Sequence, residues 1–313
     1  MAAQKIAVLF PGQGSQYVGM AKEFLEADAE ARNLMAMAER VSGMPLGRLC
    51  LEGPMEELTR TLYLQPAMTL VNLICWQALN KAGVKADFFA GHSLGEYAAL
   101  CAAGVLTPEE TLALVTERGR LMEREAGAHP GGMHAVVKLD IDTVRGIVAA
   151  AQAKGALTLA NHNSAEQIVI SGEVAALEAA AELVKEKGGK AIPLKVSGAW
   201  HSDLIKGAVP DFEQALAKAQ VKAPHTPLLF NVTAAAEADP VVIRSIMAQQ
   251  IASTVRWYEI VQHLVAAGVE VFIEVGPKTV LTGLLKKIIP AEYRHKTIQV
   301  DTPATLAQCL AGL

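Results

Sequence analysis

Apolar residues along this chain group in two ways: short continuous runs, and longer stretches in which apolar positions recur three and four residues apart. The runs predict strands buried on both faces, and the helical spacing predicts amphipathic helices that cover them. Residues 5–10 are the first run, and the glycine-rich loop 11–15 hands it to a helix expected from about residue 16. Helical patterns fill roughly 29–82, a strand is expected at 88–90, and a helix over 96–103 follows it with only a turn between. Thr107-Pro108-Glu109-Glu110 reads as a helix start, with a capping threonine, proline at the first helical position and acids in the first turn. That helix is expected to reach about residue 125.

The densest cluster of chain breakers, Ala126-Gly127-Ala128-His129-Pro130-Gly131-Gly132, marks a boundary. Beyond it the pattern predicts a strand at 133–139, a helix at 142–153, strands at 157–161 and 167–171, a helix at 174–187 and a strand at 191–196. That βαββαβ order is the ferredoxin-like unit. Strands at 227–232, 269–275 and 297–300, alternating with helices, resume the earlier architecture and favour a mainly parallel sheet covered on both faces. The expected organisation is a large α/β subdomain formed by 1–128 and 197–313, with a small subdomain, 129–196, inserted in it.

A chain of 313 residues that is 51% hydrophobic and 19% charged can bury a sizeable core and has no disordered signature. The longest apolar stretches, such as 98–106, fall far short of the roughly 18 residues that span a bilayer, so no membrane or export segment is expected. Cys50, Cys75, Cys101 and Cys309 are scattered without a C-x-x-C pair, which suits buried free thiols in a reducing cytoplasm. A formal net charge of −4 supplies no general attraction to nucleic acid. No H-E-x-x-H, paired C-x-x-C or acidic calcium loop occurs, so no metal is expected.

Gly91-His92-Ser93-Leu94-Gly95 stands apart from this background. A serine between two glycines, after a short apolar run and before a helix, is the pattern of a strained strand-to-helix turn that presents a hydroxyl to substrate. Ser93 is the candidate nucleophile, and such a nucleophile needs a base and donors for a developing oxyanion. His201 lies just past the return strand of the insert, where a loop can bring it back over the main sheet; a surface histidine is the plain alternative. The 11–16 loop lacks the glycine at Tyr17 that a dinucleotide fingerprint needs and the lysine at Met20 that a phosphate loop needs. Its backbone N–H groups near the carboxyl edge of the sheet still suit an oxyanion. Arg118 shares the apolar stripe of its helix with Leu114, Val115, Leu121 and Met122, so it needs a partner, either an internal acid or a bound carboxylate. Gln250 repeats the oddity after Ile243, Ile246 and Met247, where a satisfied core amide is the plain reading.

Taken together, Phe10-Pro11-Gly12-Gln13-Gly14-Ser15-Gln16, Gly91-His92-Ser93-Leu94-Gly95-Glu96-Tyr97, Glu117-Arg118-Gly119, Asn161-His162-Asn163-Ser164, Trp200-His201-Ser202 and Phe272-Ile273-Glu274-Val275-Gly276-Pro277 resemble the malonyl-CoA:acyl carrier protein transacylases. The resemblance runs over about residues 5–287. It implies an α/β-hydrolase-like large subdomain with an inserted ferredoxin-like one, the organisation that the pattern also predicts. By resemblance, Ser93 carries the acyl group, His201 takes its proton and later activates the incoming thiol, and the backbone carbonyl of Gln250 orients the imidazole. The N–H groups of Gln13 and Leu94 would form the oxyanion hole, Arg118 would hold the malonyl carboxylate, and Asn161 and Asn163 would line the cleft.

The same resemblance implies malonyl-CoA and acyl carrier protein as partners, with the phosphopantetheine on the carrier and no cofactor on this chain. A cytoplasmic monomer is expected. Trp200 departs from the family, where the residue before the histidine is often smaller or phenylalanine, and its indole is expected to tighten the acyl pocket against an α-methyl branch. Lys185, Lys187, Lys190, Lys195, Lys286 and Lys287 are candidate docking charges for an acidic carrier. Two alternatives stand beside this reading. A thioesterase or other hydrolase would need an acidic triad member, for which Asp140, Asp142 and Asp203 are available, and a non-catalytic carrier-docking protein would keep the fold without the chemistry.

Overall fold

The computed structural model describes residues 4–313. In chain order its strands are β1 (Lys5–Phe10), β2 (Phe88–Gly91), β3 (Gly132–Val137), β4 (Leu157–Ser164), β5 (Gln167–Gly172), β6 (Lys190–Pro193), β7 (Leu228–Leu229), β8 (Val269–Val275) and β9 (Lys296–Val300). The first sheet has the order β7-β2-β1-β8-β9, with every pairing parallel. Successive strand side chains point to opposite faces, so the continuous apolar runs feed two cores. Val8 and Phe10 of β1 join one with the Thr61–Lys81 and Pro108–Ala128 helices, while Ala7 and Leu9 join the other with the Trp257–Ala266 and Val280–Ile288 helices. The β1–β2 register sets Phe10 beside Gly91, so the loop after β1 and the turn after β2 leave the carboxyl edge side by side.

The second sheet is antiparallel, in the order β4-β5-β3-β6. With the Ile141–Ala151 and Val174–Glu186 helices it completes the βαββαβ unit. Val136, Ile168 and Ile170 pack under those helices, and the alternate residues Met133, Ala135 and Val169 face the main core. Residues 254–255 stitch the two sheets' surroundings together: Val255 N–H donates to the Ala160 carbonyl at 2.8 Å, His162 N–H to the Val255 carbonyl at 2.9 Å, and Thr254 Oγ1 to the Leu159 carbonyl at 2.6 Å.

Several elements depart from the pattern-based expectation. The helix expected from residue 16 begins only at Lys22, because Gly19 (φ 101°) and Ala21 (φ 66°) turn left-handed first. Gln16 is a loop brace instead, its Oε1 accepting the Gly14 N–H at 2.8 Å. The 29–82 stretch is broken at Gly43–Pro45, at Gly53–Pro54 and at the extended Arg60 into four helices. The strand expected at 227–232 shrinks to Leu228–Leu229, and the one at 191–196 becomes Lys190–Pro193, ending at a residue without an N–H. Thr107 caps its helix as expected, and Glu110 completes a capping box with it, but the helix continues through Gly127 of the breaker cluster to Ala128.

Candidate active site

The turn after β2 is built on close approach. A side chain at Gly95 would collide with the Phe10 carbonyl, and one at Gly91 with the Gly95 carbonyl, so both positions need glycine. Between them Ser93 holds φ at 51°, a left-handed conformation that costs a residue with a Cβ and persists only where neighbours over-determine it. His92 N–H donates to the Phe10 carbonyl at 3.0 Å, tying the turn to β1. Asn231, just past β7, brackets the serine: its Oδ1 accepts the Ser93 N–H at 2.6 Å and its Nδ2 donates to the Gly91 carbonyl at 2.7 Å.

His201 meets this turn from the chain that returns out of the second sheet. Its Nε2 lies 2.7 Å from Ser93 Oγ, and its Nδ1 lies 3.1 Å from the Gln250 backbone carbonyl. A carbonyl only accepts, so Nδ1 carries the proton and Nε2 is the free acceptor facing the hydroxyl. Burial first, then the nearby positive charge of Arg118 and the His92 ring, push the imidazole down to about 3. It is therefore a neutral base at physiological pH. This serine–imidazole pair has a main-chain carbonyl where a triad has an acid.

Arg118 projects from the Pro108–Ala128 helix and is 1% exposed. It donates from Nη1 to Gln65 Oε1 at 2.7 Å and from Nη2 to Gln250 Oε1 at 3.0 Å, with the Tyr97 ring 5.5 Å from its central carbon. Among the described residues it forms no ion pair, and its Nε has no partner. Its helix neighbours behave differently: Arg120 pairs with Glu117 at the surface, and Arg124 with Asp211 and the buried Glu125. A guanidinium held by neutral amides keeps its charge uncompensated, ready for an anion. Gln250 is more than a satisfied core amide. Its side chain also donates to the Ser93 carbonyl at 2.8 Å, so one residue touches the serine, the histidine and the arginine.

A cavity of about 300 Å³ brings the other candidates together: Gln13, Ser93, Leu94, Arg118, Asn161, Asn163, Trp200 and His201 all line it. Among the described residues the N–H groups of Gln13 and Leu94 have no protein acceptor. Asn163 Oδ1 lies 2.7 Å from His92 Nε2, across the cleft from β4 to the serine turn. Trp200 is buried with its indole N–H unpartnered. Met133, Ala135 and Val169 supply the apolar lining from the second sheet. Among the described residues no group of three or more His, Cys, Asp or Glu is placed to hold a metal, and no helix is long and apolar enough to cross a membrane.

Sequence reasoning missed Asn231, Glu96 and Gln65. Each leaves the kind of signal that had singled out Gln250, a polar side chain in an apolar setting: Asn231 after Leu228-Leu229-Phe230, Glu96 before Tyr97-Ala98-Ala99-Leu100, Gln65 inside the apolar Thr61–Lys81 helix.

The chain matches the acyl transferase domain family over residues 8–300. It is 40% identical over 311 residues to the malonyl CoA-acyl carrier protein transacylase of Bacillus subtilis strain 168, covering 99% of this chain and 97% of that protein. Its fold superposes on an acyl carrier protein S-malonyltransferase from Vibrio cholerae with a TM-score of 0.93 and 38% identity, over 97% of this chain and 99% of that one. It also superposes on a malonyl-transacylase solved in complex with its type II PKS acyl-carrier protein, with a TM-score of 0.94 and 33% identity, over 99% of this chain and 100% of that one. A serine set against a neutral imidazole in the lining of this cavity is the arrangement an acyl-transferring enzyme needs, and with these likenesses the chain belongs to the acyl transferase family, among the malonyl CoA-acyl carrier protein transacylases.

Proposed function

We propose that this protein moves a malonyl group from malonyl-CoA to the phosphopantetheine thiol of acyl carrier protein, through an ester on Ser93. Ser93 Oγ attacks the thioester carbonyl while His201 Nε2 takes the hydroxyl proton, and the 2.7 Å separation supports that transfer. The N–H groups of Gln13 and Leu94 receive the oxyanion. Collapse breaks the C–S bond, and coenzyme A leaves with the proton from His201. In the second half the carrier thiol gives its proton to His201 and attacks the ester carbonyl. Ser93 leaves and recovers the proton, so one thioester is exchanged for another with nothing oxidised or reduced. Coenzyme A and the carrier are substrates, and no cofactor of the enzyme's own enters.

The observation that carries the choice of acyl group is Arg118, buried, charged and without a carboxylate. A malonyl carboxylate completes its fork, whereas an acetyl group leaves it empty in a partly desolvated site. Asn161 and Asn163 offer amides to the bound chain. Trp200 narrows the pocket against an α-methyl branch, and comparable turnover of methylmalonyl-CoA and malonyl-CoA would contradict that role. Lys185, Lys187, Lys190, Lys195 and Lys286 are exposed for a docking partner, while Lys287 also reaches Gln167 Oε1 at 2.8 Å. The division at 129–196, and a monomeric cytoplasmic protein, complete the reading.

The test is incubation with malonyl-CoA alone, intact mass, then addition of carrier protein. A malonyl adduct on Ser93 that moves to the carrier is expected. Loss of the adduct to water without transfer would favour a thioesterase, and no adduct would favour a non-catalytic docking protein.

A further inference from the structure

We infer that Asn231, anchored by Glu96, is a positioning residue that fixes the strained serine turn and decides which N–H group is left for the oxyanion. This rests on Ser93 being the nucleophile, not on which acyl group it takes.

Asn231 is fully buried, and each of its polar atoms is engaged. The side chain brackets the serine, accepting from Ser93 N–H at 2.6 Å and donating to the Gly91 carbonyl at 2.7 Å. The backbone holds it from behind: its carbonyl accepts the Arg256 N–H at 3.1 Å, and its N–H donates to Glu96 Oε2 at 2.5 Å. Glu96 lies on the Gly95–Ala102 helix that the serine turn itself begins. The result is a closed ring, from turn to Asn231 to Glu96 and back to the turn.

Two consequences follow from chemistry. A planar amide that grips residues 91 and 93 at once over-determines the left-handed Ser93, which is what a strained non-glycine residue requires. By occupying the Ser93 N–H, Asn231 also takes that donor out of the site, so the next N–H, that of Leu94, is the one left open beside the nucleophile.

Glu96 acts by accepting a hydrogen bond rather than by its charge. Only one of its oxygens is used, Oε1 having no partner, and burial pushes its carboxyl up to about 8, with the Asn231 N–H and the Arg118 charge pulling the other way. Protonated or ionised, its Oε2 accepts the Asn231 N–H. Glutamine is its isostere.

The experiment uses the full chain and reads single-turnover formation of the Ser93 adduct, KM for malonyl-CoA, the malonyl-to-acetyl preference, thermal midpoint, and hydrogen exchange at the Ser93 amide. Asn231→Ala is expected to slow acylation about 100-fold. KM should stay within about threefold, the malonyl preference should be unchanged because Arg118 rests on Gln65 and Gln250, and Ser93 amide protection should be lost. Glu96→Gln is expected to stay within about threefold of the parent. Acylation by Asn231→Ala at close to the parental rate, or a loss in Glu96→Gln as large as in Asn231→Ala at a native thermal midpoint, would overturn the inference. Should Asn231→Ala not fold, Asn231→Asp keeps the acceptor for Ser93 but not the donor to Gly91; slowed acylation with retained protection is expected, and lost protection or a parental rate would overturn it. If the parent itself forms no adduct, the proposed function fails, while amide exchange still reads the bracket.

Discussion

The two walls of the cleft are built by different rules. On the side of the parallel sheet, Ser93 and His201 both hold left-handed backbones, with φ of 51° and 57°, and Arg118 is a buried charge without an acid. Each is held by hydrogen bonds to distant segments. On the side of the antiparallel sheet, Met133, Ala135, Val169, Asn161 and Asn163 sit on strands, the two asparagines where the β4–β5 register shifts, and carry no charge. The left-handed nucleophile and base and the buried charge meet on the wall that would do the chemistry, while the opposite wall shapes and lines.

Breaking the reactive wall should cost most. His201→Ala removes the base and is expected to slow acylation by about 10³-fold to 10⁴-fold, measured as the rate of adduct formation. The pH dependence sharpens the point. A histidine pushed down from its ordinary 6.5 to about 3 stays neutral between those values, so acylation should be nearly flat from pH 7 to pH 5, where an unperturbed imidazole would lose about 25-fold. The same shift works against stability. As pH falls below the ordinary histidine value, the unfolded chain binds a proton that folded His201 refuses, so its contribution to stability declines in that window. An acid limb near pH 6.5 would contradict the neutral buried base.

The smallest effect is expected across the cleft. Asn163→Ala removes the partner of His92 and lining from β4, and should raise KM by about tenfold or less with kcat largely kept. A loss matching that of His201→Ala would erase the distinction between the walls.

What was legible in the sequence follows the same division by range. The serine turn, the Thr107 cap and the βαββαβ order are written in adjacent residues, through glycine sterics, capping chemistry and periodicity. Arg118 and Gln250 could be flagged by spacing within one helix, but not paired, since 132 positions separate them. Asn231 bonds Ser93 from 138 positions away, and a single amide at a strand end leaves no periodic trace of its partner. The late start of the helix at Lys22 was hidden because Ala21, an excellent helix former, is held left-handed by its surroundings.

The central claim is that a buried arginine without a protein acid selects a dicarboxylic acyl group. The direct measurement is kcat/KM for malonyl-CoA and for acetyl-CoA in the parent and in Arg118→Ala, with the acetyl substrate reporting any general damage. Malonyl transfer is expected to fall on the order of a hundredfold or more, and acetyl transfer by less than about tenfold. Equal losses on both substrates would contradict the account.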